Sequence, residues 1–318
     1  MTQAFKKIYY VLKTARPQQW VKNLALYTPL IFSGFFFYSP INNPPYFYTV
    51  TKAFFVFCLL ASCVYIINDI IDIEADRQHP FKKKRPLASG KLSIAIAVLA
   101  AVALLFAVFL FSMNLSPFFR LLLLAYLLLQ IFYAKKLKHL PILDVLSIAA
   151  GFLIRIYAGA VVVNLHMSVW FLLTVISASL FLAVGKRQSE RTLLKDKHLG
   201  KTRKTLSKYS ERLLDVYTGM FANATWLTYA LFAFQNSPDQ LTAHQKFPQL
   251  YTVLPRALQS KKLLMLTIPL VIFGVMRYLA LVYEENKGES PELVLYKDKT
   301  LLTTVFTFGI MVMIIIYS

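Results

Sequence analysis

Cysteine and acidic residues are both scarce in this chain. Cys58 and Cys63 are the only cysteines among 318 residues, and both lie inside one apolar run. Five residues apart, they fall on different faces of a helix. That argues against a disulfide framework or a zinc site and leaves them as small core residues. The histidines, His79, His139, His166, His198 and His244, show no metal-ligand spacing and are read as non-ligands. Asp and Glu total 15 against 35 Lys and Arg, a formal net charge of +20. Such an excess can mark a nucleic-acid binder. Here the positive charge sits in short loops between apolar runs, so no nucleic-acid partner is expected. No cleavable signal peptide is apparent, because the chain is polar and basic up to Lys22.

What the chain has in abundance is apolar surface, at 57% hydrophobic residues and a mean hydropathy of +0.55. Runs of about 20 apolar residues are long enough to cross a bilayer, and backbone groups in lipid must bond within a helix. The expected fold is an all-α polytopic membrane protein, one domain over residues 1–318. Nine transmembrane helices are expected, at Val21–Phe37, Phe47–Ile67, Ile94–Phe111, Phe118–Tyr133, Leu143–Val163, Val169–Gly185, Leu213–Phe234, Leu263–Tyr283 and Leu301–Tyr317. Lys and Arg crowd the N-terminus and the second, fourth and sixth loops, whereas Ser39–Tyr46, Ser112–Pro117 and Asn164–Ser168 have none. Positive loops stay inside, which places the N-terminus in the cytoplasm and the C-terminus outside. The protein is therefore expected in the plasma membrane, in contact with the lipid bilayer, with its polar clusters facing the cytoplasm.

The densest of these clusters is Asn68-Asp69-Ile70-Ile71-Asp72-Ile73-Glu74-Ala75-Asp76-Arg77, followed by Lys82-Lys83-Lys84-Arg85-Pro86. Asp69, Asp72 and Asp76 recur at i, i+3 and i+7, on one helix face, with Asn68 beside them. Glu74 points elsewhere and reads as structural. Three converging carboxylates repel unless a cation lies between them. Oxygen ligands favour Mg²⁺, which commonly shares its shell with phosphates. The adjoining Lys82 and Arg85 suit the remaining phosphate charge. Asn68, Asp69, Asp72 and Asp76 thus read as a metal–diphosphate site at a membrane surface.

Other polar groups are more ambiguous. Trp20 reads as an interface anchor, while Arg16, Lys22 and Asn23 could reach a phosphate. The fourth loop offers Tyr133, Lys138 and Asp144; Lys138 could bind phosphate or snorkel, and Asp144 could orient it or bind a second metal. Arg155 lies within a span, where an arginine is expensive and marks a functional site; it could pair with a lipid head or with a carboxylate. Gly151, Ala158 and Gly159 near it suit close helix packing. Arg277 is a weaker version of the same signal, and Asp298 a further polar group near it. Lys186, Arg187 and Glu190 gather within about one turn, with Arg203 and Lys204 in the loop beyond, either as a ligand cluster or as a basic membrane-surface loop.

The pattern Asn68-Asp69-x-x-Asp72-x-x-x-Asp76, closing on Arg85-Pro86-Leu87-Ala88-Ser89-Gly90, resembles the UbiA superfamily of membrane prenyltransferases. That resemblance, which covers essentially the whole chain, implies a nine-span helical bundle and a Mg²⁺-dependent transferase. Within it, four segments resemble the branch of decaprenyl-phosphate phosphoribosyltransferases. They are Arg16-Pro-x-Gln-Trp-x-Lys-Asn23, the stretch from Ala75 through Lys82, Gly151-Phe-x-x-Arg155 and Gly185-Lys-Arg-x-x-Glu190. The implied reaction moves 5-phosphoribose from 5-phosphoribosyl 1-diphosphate to a polyprenyl phosphate and releases diphosphate. The second Asp-x-x-x-Asp motif usual in the superfamily is replaced here by Lys186-Arg187-Gln188-Ser189-Glu190. More cation and less carboxylate suit an added phosphate and put a second Mg²⁺ in doubt. Lys186, Arg187 and Glu190 are then expected at the ribose phosphate, and Lys22, Tyr133, Lys138 and Arg155 at the lipid phosphate. The alternatives are prenyl transfer to an aromatic acceptor and, against the one-sided clustering of charge, a polyprenyl-phosphate carrier.

Overall fold

The computed structural model describes residues 3–41, 43–78, 82–195, 208–236, 262–285, 294 and 297–317, with helices and turns and no strand among them. The chain divides into two compact units.

The first unit holds α1 (Gln3–Ala15), a 3₁₀ segment Pro17–Tyr27, α3 (Tyr46–Ile71), α4 (Ile73–Gln78), α5 (Ile94–Ser112) and α6 (Pro117–Lys135). It also holds the ends of α7 (Leu143–Val161), whose middle, 148–153, belongs to the second unit. The helices start where their sequences say they should. Ser93 caps α5 by accepting the Ile96 N–H at 3.4 Å, and Pro117 opens α6 at a position that needs no N–H. The core gathers Ala15, Cys63, Ile66, Ile73, Leu87, Leu92, Ala97 and Ala101. Leu87 and Leu92 lie outside any helix. Their burial pins the loop after the basic run onto α3 and α5, and Gly90, at φ 73°, turns the chain between them. This loop is what delivers Arg85.

The second unit holds most of the short helix α2 (Thr28–Phe32), then α8 (Val169–Lys195), α9 (Glu211–Gln235), α10 (Ile268–Tyr283) and α11 (Lys299–Tyr317). Phe181, Ala222, Tyr278, Leu281, Val282, Val294 and Leu301 form its core. Hydroxyls on these apolar helices bond back one turn, as Thr218 does to the Leu214 carbonyl at 2.7 Å and Thr225 to that of Phe221 at 2.7 Å. A polar atom is thereby satisfied without leaving its own helix.

Seven helices among the described residues are long and apolar enough to cross a membrane: Tyr46–Ile71, Ile94–Ser112, Pro117–Lys135, Leu143–Val161, Val169–Thr192, Leu263–Tyr283 and Lys299–Tyr317. Nine are expected from sequence, and the two departures have physical reasons. Val21–Phe37 is not one helix. It is a 3₁₀ segment from Pro17 to Tyr27, then five α-helical residues, then a turn at Gly34 with φ 79°. Pro29 lacks the N–H to continue the ladder, and Gly34 ends it. Leu213–Phe234 does lie within a helix, Glu211–Gln235, but that helix falls outside the seven. Asp215, Thr218, Asn223, Thr225 and Thr228 interrupt its apolar run.

Arg277 and Asp298, two isolated polar signals in the sequence, pair with each other. The guanidinium donates to both carboxylate oxygens, at 2.6 and 3.2 Å, and also to Glu285 at 3.0 Å. Asp298 in turn accepts the Leu301 N–H at 2.7 Å and caps α11. Asp298→Ala should therefore lower the thermal midpoint in detergent more than Glu285→Ala does. The cap alone contributes ~1 kcal/mol.

Candidate active site

The acidic face forms at the end of α3. The helix breaks at Asp72, whose φ of −93° and ψ of 6° leave the helical region, yet the i→i−4 bonds carry on from Asp72 N–H to Asn68 and from Asp76 N–H to Asp72. Asp69 and Asp76 are buried, Asn68 and Asp72 half-buried, and Glu74 exposed.

Cations from three other segments close over this face. Arg16 donates to Asp69 Oδ1 at 2.5 Å. Nη1 of Arg85 lies 3.1 Å from the same oxygen and 2.5 Å from Asp76 Oδ2. Lys138, on the 3₁₀ turn Leu137–His139, reaches Asp72 Oδ1 at 2.5 Å. Three carboxylates are thus matched by three cations of the chain itself. The repulsion that calls for a metal in the sequence argument is answered here by side chains.

Backbone strain flanks the cluster. Arg16 has φ 52° and ψ 62°, left-handed for a residue with a Cβ, and it precedes Pro17. Ile142, between Lys138 and the buried Asp144, has φ 70° and ψ −52°, with the Leu143 N–H bonded to the Pro141 carbonyl at 2.8 Å. That is the rare γ-turn, and for a β-branched residue a genuine outlier. Strain of this kind concentrates where a structure must hold side chains in set positions. The Arg16 guanidinium also lies 5.1 Å from the Tyr65 ring, one turn before Asp69 on α3.

A second polar knot lies deeper in the first unit. Arg155, 5% exposed, donates to Asn23 Oδ1 at 2.8 Å and to the Tyr126 hydroxyl at 2.6 Å, and its guanidinium sits 4.7 Å from the Tyr126 ring. Asn23 passes a bond on to Cys58 Sγ at 3.2 Å. Gly159, one turn beyond Arg155, makes this possible: a Cβ there would run into the backbone of Leu26. Trp20 is not simply an interface anchor, since its indole N–H donates to Ser62 at 2.9 Å. Lys22, Lys82 and Tyr133 are half-buried within the same unit.

The second unit carries its own cluster at the end of α8. Arg187, 1% exposed, pairs with Glu190 at 2.7 Å, and Lys186 is half-buried beside it. Gln188 donates to Asp215 Oδ1 at 2.9 Å, which Tyr283 also reaches at 3.0 Å. Gln188 Oε1 and two nitrogens of Arg191, Nε and Nη1, are buried without a hydrogen-bond partner. Arg203, Lys204 and His79 lie outside the described residues.

A profile of the UbiA prenyltransferase family matches residues 26–297. The chain belongs to that family. Among curated relatives, decaprenyl-phosphate phosphoribosyltransferase of Mycolicibacterium smegmatis is 35% identical over 301 residues, 92% of this chain and 87% of its own. That of Corynebacterium glutamicum is 38% identical over 239 residues, 72% and 69% of the two chains. Among solved structures, a UbiA homolog from Archaeoglobus fulgidus bound to GPP and Mg²⁺ superposes with a TM-score of 0.67 at 17% identity, covering 97% of this chain and all of the other. The expected all-helical UbiA-like fold is therefore present, with seven candidate spans among the described residues.

Does the acidic face of this UbiA-family protein suit a magnesium ion? As the side chains stand, no three Asp, Glu, His or Cys among the described residues converge closely enough to hold one. The break at Asp72 accompanies its pairing with Lys138, whereas Asp69 and Asp76 share Arg85. Each of the three carboxylates expected to share an ion thus stands paired with a cation of the chain. The donor chemistry still fits. Asp69 and Asp76 offer oxygens only, and both already converge on one positively charged atom of Arg85, where a hard cation would find the same two ligands.

The sequence missed most of these pairings. Arg16 was visible only as a phosphate candidate and Tyr126 not at all. A tyrosine amid the apolar run of α6 is the one signal that could have raised it.

Proposed function

We propose that this protein transfers 5-phosphoribose from 5-phosphoribosyl 1-diphosphate to a polyprenyl phosphate of the decaprenyl type, releasing diphosphate. The observation that carries this reading is the 35% identity to the M. smegmatis enzyme across 92% of the chain. The end of α8 supports it as well. Its one carboxylate, Glu190, is paired with Arg187, and Arg191, whose Nε lies 4.0 Å from Glu211, keeps Nη1 buried without a hydrogen-bond partner, a donor an extra phosphate could use.

In this reading Asp69 and Asp76, with Asp72 and Asn68 beside them, would hold Mg²⁺. When bound, the ion would neutralise charge building on the leaving group. Arg16, Arg85 and Lys138 then turn from carboxylates to phosphate oxygens, keeping the charge balanced as substrate enters. Lys82 adds to this basic rim. Lys186, Arg187 and Glu190 are assigned to the ribose phosphate, Arg203 to substrate binding more generally, and Lys22, Tyr133 and Arg155 to the lipid phosphate. That phosphate is already an anion at neutral pH and needs no strong general base. Its attack on C1 opposite the diphosphate inverts the anomeric centre, and positioning supplies much of the acceleration. The positive loops support a site open to the cytoplasm of a plasma-membrane protein.

Purified protein with Mg²⁺ should move label from 5-phosphoribosyl diphosphate into polyprenyl phosphate, and EDTA should stop it. Label entering an aromatic acceptor from prenyl diphosphate instead would overturn the reading. Asp72→Asn should remove turnover while leaving membrane insertion intact, read by fractionation beside the assay.

A further inference from the structure

Helix α1 has two apolar faces, and only one of them is used. Tyr10, Val11 and Ala15 pack against the core of the first unit. Phe5, Ile8, Tyr9 and Leu12, at i, i+3, i+4 and i+7, form a stripe on one side of the helix and are 64%, 58%, 52% and 55% exposed. Lys6 and Lys13 border this stripe, Lys13 lying 6.0 Å from the Tyr9 ring, and Lys7 is exposed near them. Residues 1–16 contain no Asp or Glu. An apolar stripe edged by lysines, without one acidic residue, is complementary to a bilayer surface bearing negative headgroups. It belongs to a unit whose other helices α3, α5 and α6 are already candidate spans.

The end of α1 adds a second link. Thr14 is buried, its hydroxyl bonded to the Tyr10 carbonyl at 2.8 Å, and Ala15 is buried after it. The next residue is Arg16, whose N–H still bonds to Leu12 and whose guanidinium holds Asp69. No slack separates the stripe from the acidic face. A tilt of α1 moves Arg16 directly, and the left-handed backbone at Arg16 needs support from its surroundings to persist.

We propose that α1 docks on an anionic lipid surface through Phe5, Ile8, Tyr9, Leu12 and the three lysines. Docking fixes the end of α1 and so holds Arg16 at the acidic face, within reach of Asp69 before substrate enters and of the donor's phosphate afterwards, so the activity of the acidic site depends on anionic lipid. The link to activity rests on the function proposed above; the docking itself does not.

The test uses the full chain in vesicles of phosphatidylcholine alone or with phosphatidylglycerol at roughly one third, a composition that gives a strong surface potential. A spin label at Ile8→Cys reports immersion through its accessibility to oxygen against a water-soluble nickel complex. The label should move into the bilayer when phosphatidylglycerol is present. A Lys6→Gln, Lys7→Gln, Lys13→Gln variant should lose that shift, since three lysines near an anionic surface contribute roughly a hundredfold in partition. Turnover should rise several-fold with phosphatidylglycerol in the wild type and stay flat in the variant. Equal immersion in both lipids, or an equal rise in both proteins, would overturn the proposal. Were phosphoribosyl transfer absent in every vesicle while the label still moved, the assigned reaction would fail and the docking would stand.

Discussion

Asp69→Asn should lower kcat/KM by about 10³-fold, the scale set by removing one preorganised charge from a reacting centre. Asp69 is the most confined carboxylate of the face, 2% exposed, with Arg16 and Arg85 both upon it. An amide keeps the shape and removes the charge that both guanidinium groups answer. The fold should suffer too. Removing one partner of a buried pair strands the other, but Arg16 and Arg85 are 27% and 23% exposed, so water recovers part of the loss. A fall of ~2 kcal/mol in unfolding free energy is expected, read by thermal unfolding in detergent. Adding Arg16→Gln should restore much of the stability and none of the activity. Activity within tenfold of wild type in Asp69→Asn would remove this carboxylate from the mechanism.

Gly159→Ala should be strongly destabilising. The added Cβ would overlap the Leu26 carbonyl, and a backbone cannot yield as the tip of a side chain does. Overpacking of this kind costs ~3 kcal/mol. The displacement would also part Arg155 from Asn23, now 2.8 Å apart, and leave a guanidinium short of an acceptor inside the bundle. Gly219→Ala in α9 is the matched control. Nothing lies within 4 Å of a Cβ there, and helix propensity alone should make it stabilising by ~0.5–1 kcal/mol. Opposite shifts of the two thermal midpoints would confirm that close approach, not helix chemistry, explains Gly159. A midpoint unchanged in Gly159→Ala would show that α7 has room to retreat.

What could be read from the sequence follows from range. The acidic cluster is legible because Asp69, Asp72 and Asp76 follow helical spacing and the i→i−4 bonds run on through the break at Asp72, and Arg155 is legible because its setting is so costly. Their partners are not. Arg16 meets Asp69 across 53 residues, and Arg155 meets Asn23 across 132. No local rule reports such distances. The Lys82–Arg85 run reads as phosphate-binding, yet nothing in it tells that Leu87 and Leu92 fold Arg85 back onto Asp69 and Asp76. The missing first span shows a different limit. Val21–Phe37 is apolar enough for a span, but Pro17, Pro29 and Gly34 govern the backbone there, and they outvote hydropathy.

The γ-turn at Ile142 bears on how this enzyme could be engineered. Its side chain is 51% exposed, so little packing is lost when it is removed, while a positive φ costs a β-branched residue about 1–2 kcal/mol. Ile142→Gly should then gain on the order of 0.5–1 kcal/mol after the greater freedom of the unfolded chain is allowed for. The same relief would loosen the hold on Lys138 and Asp144. A selection for heat resistance that ignores turnover would collect changes at this position first, and each would be a stabler protein and a slower catalyst.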